Sequence, residues 1–299
     1  MIVQRLKNFA ARPLNQKILT TLFFMRQGLA KLPYLPIPLR LPIPPSDMAT
    51  LWWSYVIPGY RTECGFFEYW GQDVGDLCFL RRILRPGMVF FDVGAYHGLF
   101  TLVAAKVLGK RGRVIAFEPS PRELRRLRFH LRLNRLSGVE VVPFAVGSHN
   151  GARRFFVVTS EDTSMNSLQP PPIESTVEET TVGTVSLDQY CRENGIDAVD
   201  LIKIDVEGGE LEVFLGAQRI LALHRPFIIC EVLDRVTLPW GYPARQIVDW
   251  LENCGYHWFD FDLDGNLRPH AKRTDYSQVK NYLAVPAEKL SVVGKWLRS

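Results

Sequence analysis

Two acids, Asp92 and Glu118, close the short apolar runs VFFD and RVIAFE. Asp92 leads directly into Val93-Gly94-Ala95-Tyr96-His97-Gly98, a loop with glycines four positions apart. A third run, DLIKIDVEGGE, carries Lys203, Asp205 and Glu207 at alternate positions, so on a strand they share one face. Carboxylates placed this way orient a hydroxyl, take its proton or bind a divalent cation. Glycines in the first loop let backbone N–H groups approach a ligand with no Cβ in the way. Structural readings stand beside these. Glu118 is then an incidental acid at a tight turn, Asp205 pairs with Lys203, and Glu207 caps the helix that follows.

The first loop restricts the ligand. A dinucleotide fingerprint has three glycines around a pyrophosphate. Here Tyr96 stands where the middle glycine belongs, and Asp92 repels a phosphate. The same features suit S-adenosylmethionine, which carries a sulfonium and an ammonium but no phosphate. Asp92 then attracts the ammonium, directly or through water. Freed N–H groups along Gly94, Ala95, Tyr96 and Gly98 receive the ligand carboxylate, and Glu118 accepts the ribose hydroxyls. By position alone, Ser120 borders the ribose or adenine edge, and Ala145 and Val146 flank the adenine. Asp205, Glu207 and His97 are the candidate proton acceptors, His97 because an ordinary imidazole titrates near neutrality. Glu231 ends a neighbouring run and joins the same group. Whether a metal takes part is left open.

These residues need a scaffold that brings run ends together. VFFDVG, RVIAFEP, VEVVPFAV (139–146), DLIKID and RPFIICEV read as buried strands. PRELRRLRFHLRLNRLSG and ELEVFLGAQRILALH read as helices between them, the first with proline at its start and glycine at its end. Strands alternating with helices of this length predict an α/β fold with a mostly parallel sheet and helices on both faces. RRFFVV and TTVGTVSLDQY add β segments around a long polar loop, and YHWFDFDLDGNL with VKNYLAV predicts a C-terminal antiparallel hairpin.

The chain has 299 residues, 47% hydrophobic and 22% charged, with net charge +5. That suits a globular domain preceded by an extension. The division falls at residues 60 and 61: a basic, proline-rich segment, then one catalytic domain. Ile18, Leu22, Met25 and Leu29 at helical spacing among lysines and arginines predict either a basic anchor on an anionic membrane or a helix packed on the domain. Arg122, Arg125, Arg126, Arg128, Arg132 and Arg135 make one helix strongly basic, read as a solvated face rather than a nucleic-acid groove. Five cysteines with no CxxC pair favour a reducing, cytoplasmic setting over a disulfide framework. No run reaches the ~20 apolar residues of a membrane span. A nicotinamide oxidoreductase of related fold, or a noncatalytic membrane-associated scaffold, is the alternative to an enzyme using S-adenosylmethionine.

FFDVGAYHGLFTL, RVIAFEPSP, SLDQY, DLIKIDVEGGELEVFLGAQRIL and PFIICEV occur in the order seen in FkbM-type methyltransferases, and the chain resembles that family from Cys64 to Phe261. The resemblance implies the class I methyltransferase fold with a seven-stranded, Rossmann-like sheet. It also implies S-adenosylmethionine as cofactor and methylation of a hydroxyl on a sugar, glycolipid or specialised metabolite. The partner it implies is a small-molecule or glycan acceptor; the absence of any recognised RNA or DNA module in the sequence predicts no nucleic-acid partner. Two features depart from the family: Tyr96, where asparagine is frequent, and the N-terminal extension.

Overall fold

The computed structural model describes residues 39–42, 50–53, 74–159, 165–174 and 176–298. The expected segment at Ile18–Leu29, most of the proline-rich stretch, the division at residues 60 and 61 and the loop tip at 160–164 lie outside them. Two short strands, β1 (Leu39–Pro42) and β2 (Thr50–Trp53), pair antiparallel.

The main body starts with α1 (Val74–Ile83) and runs through β3 (Val89–Val93), α2 (Leu99–Leu108), β4 (Arg113–Phe117), α3 (Pro121–Leu133) and β5 (Val139–Val142). A second sheet follows, from β6 (Ala145–Val146), β7 (Gly151–Val158) and β8 (Val177–Val185). The chain then returns through α4 (Leu187–Glu193), β9 (Leu201–Ile204), α5 (Glu210–Leu215), β10 (Phe227–Glu231) and α6 (Arg245–Asn253). It closes with β11 (Tyr256–Phe261), β12 (Leu267–Pro269) and β13 (Asn281–Pro286).

The large sheet has eight strands in the order β12-β11-β13-β10-β9-β3-β4-β5. Strands β5, β4, β3, β9 and β10 are parallel, and β13 runs against both β10 and β11. The chain leaves β3 towards β4 and β5 and later returns to its other side at β9. The carboxyl ends of β3 and β9 therefore flank the switch in strand order, where a crevice forms in such sheets. Both faces are covered, so the central strands are near-continuous apolar runs. Phe90, Ile229 and Leu283 pack with Leu102, Val103 and Leu127 on one face; Phe91, Ile228 and Cys230 pack with Phe214 and Ile247 on the other.

The α/β architecture matches the expectation, with three local differences. The sheet gains an eighth, edge strand, β12, after the Asp264-Gly265 turn. The expected strand over 139–146 divides at Pro143, because proline has no N–H to continue the ladder. Ala145 and Val146 pair instead with Thr184 and Val185 in the second sheet. The expected helix over 210–224 stops at Leu215 and resumes as a wider turn at Ile220–His224, with Gly216 at the break. Cys78, Cys191, Cys230 and Cys254 are free thiols. No described helix is long and apolar enough to cross a membrane.

Candidate active site

Register places the candidate residues in rows across the sheet. Asp92 pairs with Lys203, and Lys203 with Ile229, so Asp92 and Lys203 share a face. The next row along that face holds Gly94, Asp205 and Glu231, one residue past Val93–Ile204 and Ile204–Cys230. Glu231 pairs with Asn281 of β13, which extends the row by one strand.

The first loop is tightly built. Gly94 has φ 79, and a Cβ there would lie 1.8 Å from the Asp205 carbonyl oxygen, so only glycine lets β3 and β9 end side by side. Tyr96 also has positive φ, at 49. The N–H groups of Gly94 and Ala95 both donate to the Phe117 carbonyl at 3.0 Å, and that of Gly98 donates to Ala95 at 2.7 Å. The Tyr96 N–H donates to Glu118 at 2.8 Å. This corrects the expectation that these groups stand free for a ligand carboxylate, since the loop uses them to hold its own turn. The N-terminus of α2, which begins at Leu99 behind Gly98 with no side-chain cap, is the donor face left for an anion.

Asp92 is 2% exposed, and its carboxylate accepts from the Thr101 hydroxyl. Burial raises it to about 6, against the pull of Thr101 and Lys203. It therefore lies beneath the loop, bracing α2, rather than on the crevice surface where the sequence placed it. Glu118 is buried as well. It accepts from Tyr96 N–H and, at 2.8 Å, from Ser120 N–H, while burial raises its carboxyl to about 8. Each oxygen keeps a lone pair for a further donor. Ser120 begins α3 and is fully buried, and its hydroxyl has no hydrogen-bond partner.

His97 belongs to another group. Its Nε2 lies 2.7 Å from both Glu123 Oε2 and Arg126 Nη1 on α3, and its ring stacks on Tyr96 with centroids 3.5 Å apart. Burial, with Arg126 and His130 adding to it, lowers His97 to about 3. Burial pushes Glu123 up, but His97, Arg122 and Arg126 outweigh it and hold the carboxyl at about 2. The ring nitrogen expected to take a substrate proton is therefore taken up in pinning the loop to α3.

Across the switch, Lys203 is 1% exposed and its Nζ lies 3.1 Å from Asp205 Oδ2. The pairing considered in the sequence is present, and it leaves Asp205 half-buried at the sheet edge. Glu207 has φ 56, a left-handed backbone that costs a side-chain-bearing residue roughly 1–2 kcal/mol. Ser167 Oγ at 2.8 Å and Trp240 Nε1 at 3.2 Å both donate to its carbonyl and hold the turn. Glu207 lines a small open pocket with Met165, Pro170, Pro171, Val236 and Trp240. Glu210, not Glu207, caps the turn, accepting from the N–H groups of Val206 and Gly208 at 3.2 and 3.3 Å. Burial raises Glu210 to about 7.

Ala145 and Val146 are buried in the second sheet, just past the end of β5. Thr101, Glu123, Glu210, Trp240 and Asn281 were not singled out by sequence reasoning. The acid three residues after Glu207 was a visible signal for Glu210; nothing in sequence spacing indicated Asn281. Among the described residues, no group of three or more His, Cys, Asp or Glu side chains is arranged to hold a metal ion.

A family model described as the methyltransferase FkbM domain matches residues 92–258. Over 175 residues the chain is 34% identical to 31-O-demethyl-FK506 methyltransferase FkbM of Streptomyces tacrolimicus, covering 48% of this chain and 65% of that relative. Over 180 residues it is 29% identical to 2-O-methyltransferase NoeI of Sinorhizobium fredii (strain NBRC 101917 / NGR234), covering 56% and 72%. The chain thus spans about two thirds of the length of these relatives. A solved methyltransferase FkbM from Methylobacillus flagellatus KT aligns over 68% of this chain and 45% of its own, with TM-score 0.42 and 18% identity.

Proposed function

Because this chain belongs to the FkbM methyltransferase family, we propose that it transfers a methyl group from S-adenosylmethionine to a hydroxyl oxygen of a sugar, glycolipid or specialised metabolite. The observation that carries this reading is the pairing of two acidic centres across the switch point. Glu118 is hydrogen-bonded to the glycine loop, and Asp205 lies in the same row as Gly94. The O-methyl chemistry in the names of both relatives supports oxygen as the acceptor atom.

The residues present fit the cofactor. The unpartnered Ser120 hydroxyl lies two residues from Glu118 and is suited to the ribose edge. Glu118 and Ser120 hold the nucleoside, with Ala145 and Val146 beyond the end of β5 on the adenine side. The α2 N-terminus receives the carboxylate, and the Gly94–Gly98 turn shapes the floor. When bound, the cofactor supplies a methyl group already activated by positive sulfur. The protein's part is to hold an acceptor oxygen in line and remove its proton. Asp205 serves as proton acceptor because it is half-buried, ion-paired with Lys203 and placed at the carboxyl end of β9 beside the switch point. Glu207 orients the acceptor from the neighbouring turn, where Trp240 and the prolines offer an apolar wall. The basic segment before residue 60 adds peripheral contact with an anionic membrane.

Titration calorimetry with S-adenosylmethionine and with NAD is the first test; binding of NAD alone replaces this reading with an oxidoreductase. Transfer of labelled methyl from S-adenosylmethionine to an extract, followed by mass analysis, is the second. A bound cofactor with no labelled product supports the noncatalytic scaffold.

A further inference from the structure

The row that holds Asp205 continues into two polar side chains that the chemistry above does not use. Glu231, at the end of β10, is 7% exposed, and its Oε2 has no hydrogen-bond partner. Asn281 pairs with Glu231 across β10 and β13, so the two side chains leave the same face side by side. Asn281 Nδ2 donates to Asp76 Oδ2 at 2.7 Å, which fixes the amide, while its Oδ1 has no partner. A buried oxygen left unpaired carries its full desolvation cost. The two oxygens stand on one face, one strand from the candidate base, and offer partners to a ligand group.

The chemistry of the pair selects that group. Lys203 offsets the charge of Asp205. Burial, reinforced by Asp205, Glu207 and Glu210, pushes the Glu231 carboxyl well above the ordinary carboxylate range. A protonated carboxyl donates through its O–H, whereas the Asn281 Oδ1 only accepts. A group between them must accept from one and donate to the other. An ammonium cannot accept and a carbonyl cannot donate; a hydroxyl does both. Neighbouring strands lie ~4.7–4.9 Å apart, so a molecule with hydroxyls on adjacent carbons can present one to Asp205 and the next to Glu231 and Asn281.

We propose that Glu231 and Asn281 form a specificity site for a second hydroxyl of the acceptor, adjacent to the one facing Asp205, which makes the acceptor a vicinal polyol such as a sugar ring. The inference rests on the methyl-transfer reading for the role of Asp205, but binding of the polyol is measurable without turnover.

The test uses the full chain saturated with S-adenosylhomocysteine. Affinities for a panel of methyl pyranosides and their single-deoxy analogues are measured by saturation-transfer NMR. At least one pyranoside should bind, and loss of one particular hydroxyl should weaken it about tenfold, the scale of one hydrogen bond. Glu231→Leu should weaken the parent sugar equally but add nothing to the deoxy analogue's loss. Glu231→Gln, which keeps a donor and the shape, should bind within a few-fold of the native chain and serves as the folded control. Deoxy losses that are the same in native chain and Glu231→Leu overturn the inference, as does a native chain that binds no pyranoside. Glu231-dependent binding without methyl transfer to any hydroxyl leaves this inference standing and removes the O-methylation reading.

Discussion

At the scale of single residues, the site depends on backbone positions that few side chains tolerate and on acids held in unlike environments. Gly94 combines a left-handed backbone with direct contact to the Asp205 carbonyl. Gly94→Ala should therefore destabilise the protein by about 1–3 kcal/mol and weaken cofactor binding; denaturant midpoints and calorimetry measure both. A neutral midpoint shift would mean that β3 and β9 do not close against each other here. Asp205 and His97 were both candidates by residue type, and their surroundings separate them. Asp205→Asn should lower kcat by roughly 10²–10⁴-fold, the usual worth of a general base, with cofactor affinity nearly unchanged. His97→Gln should leave the pH profile of kcat in place and lower stability, because its imidazole is bound to α3. Loss of the neutral limb of that profile in His97→Gln would return the base role to the histidine.

At the scale of elements, α3 seats the cofactor loop. Its Pro121 start was legible in the sequence, and its basic residues read as a solvated face. The structure divides that face. Arg126 is 2% exposed and, with Arg122, surrounds Glu123, which holds His97. Sequence spacing hid this because arginine is ordinarily a surface residue, and only the contact between α3 and the loop shows which arginines are enclosed. Leu127, fully buried, fills the space that the absent Cβ of Gly98 leaves open; that Cβ would lie 2.3 Å from Leu127 Cδ1. Leu127→Ala should cost about 2–5 kcal/mol, and the surviving folded fraction should bind cofactor more weakly because the loop loses its backing. Unchanged affinity in that variant would mean that the loop holds its shape without the helix.

At the scale of the whole molecule, the buried acids tie stability to pH. Burial raises Asp92 to about 6, Glu210 to about 7 and Glu118 to about 8. Between an unfolded carboxyl value near 4 and these folded values, the native state binds more protons than the unfolded chain. Their contribution is full in acid and is lost as pH rises through the folded values. His97, lowered to about 3, acts in the opposite sense: its contribution is present above about pH 6.5 and is lost as pH falls. Above neutrality only the decline remains among these groups, so the denaturant midpoint of the ligand-free chain should fall from about pH 6.5 to about pH 8. Glu118→Gln should flatten that fall; a midpoint that rises over the range would show that Glu118 is not enclosed. The alternation of strands and helices, the acids ending successive strands and the absence of a dinucleotide fingerprint were all legible in the sequence, because periodicity and loop chemistry are local. Which acids face a ligand was not legible. Asp92 turned inward to Thr101, His97 was captured by α3, and Asn281, 50 residues beyond Glu231, came to lie beside it. Those outcomes depend on strand order and register, which bring distant positions into one row, and no local pattern encodes which residues will meet there.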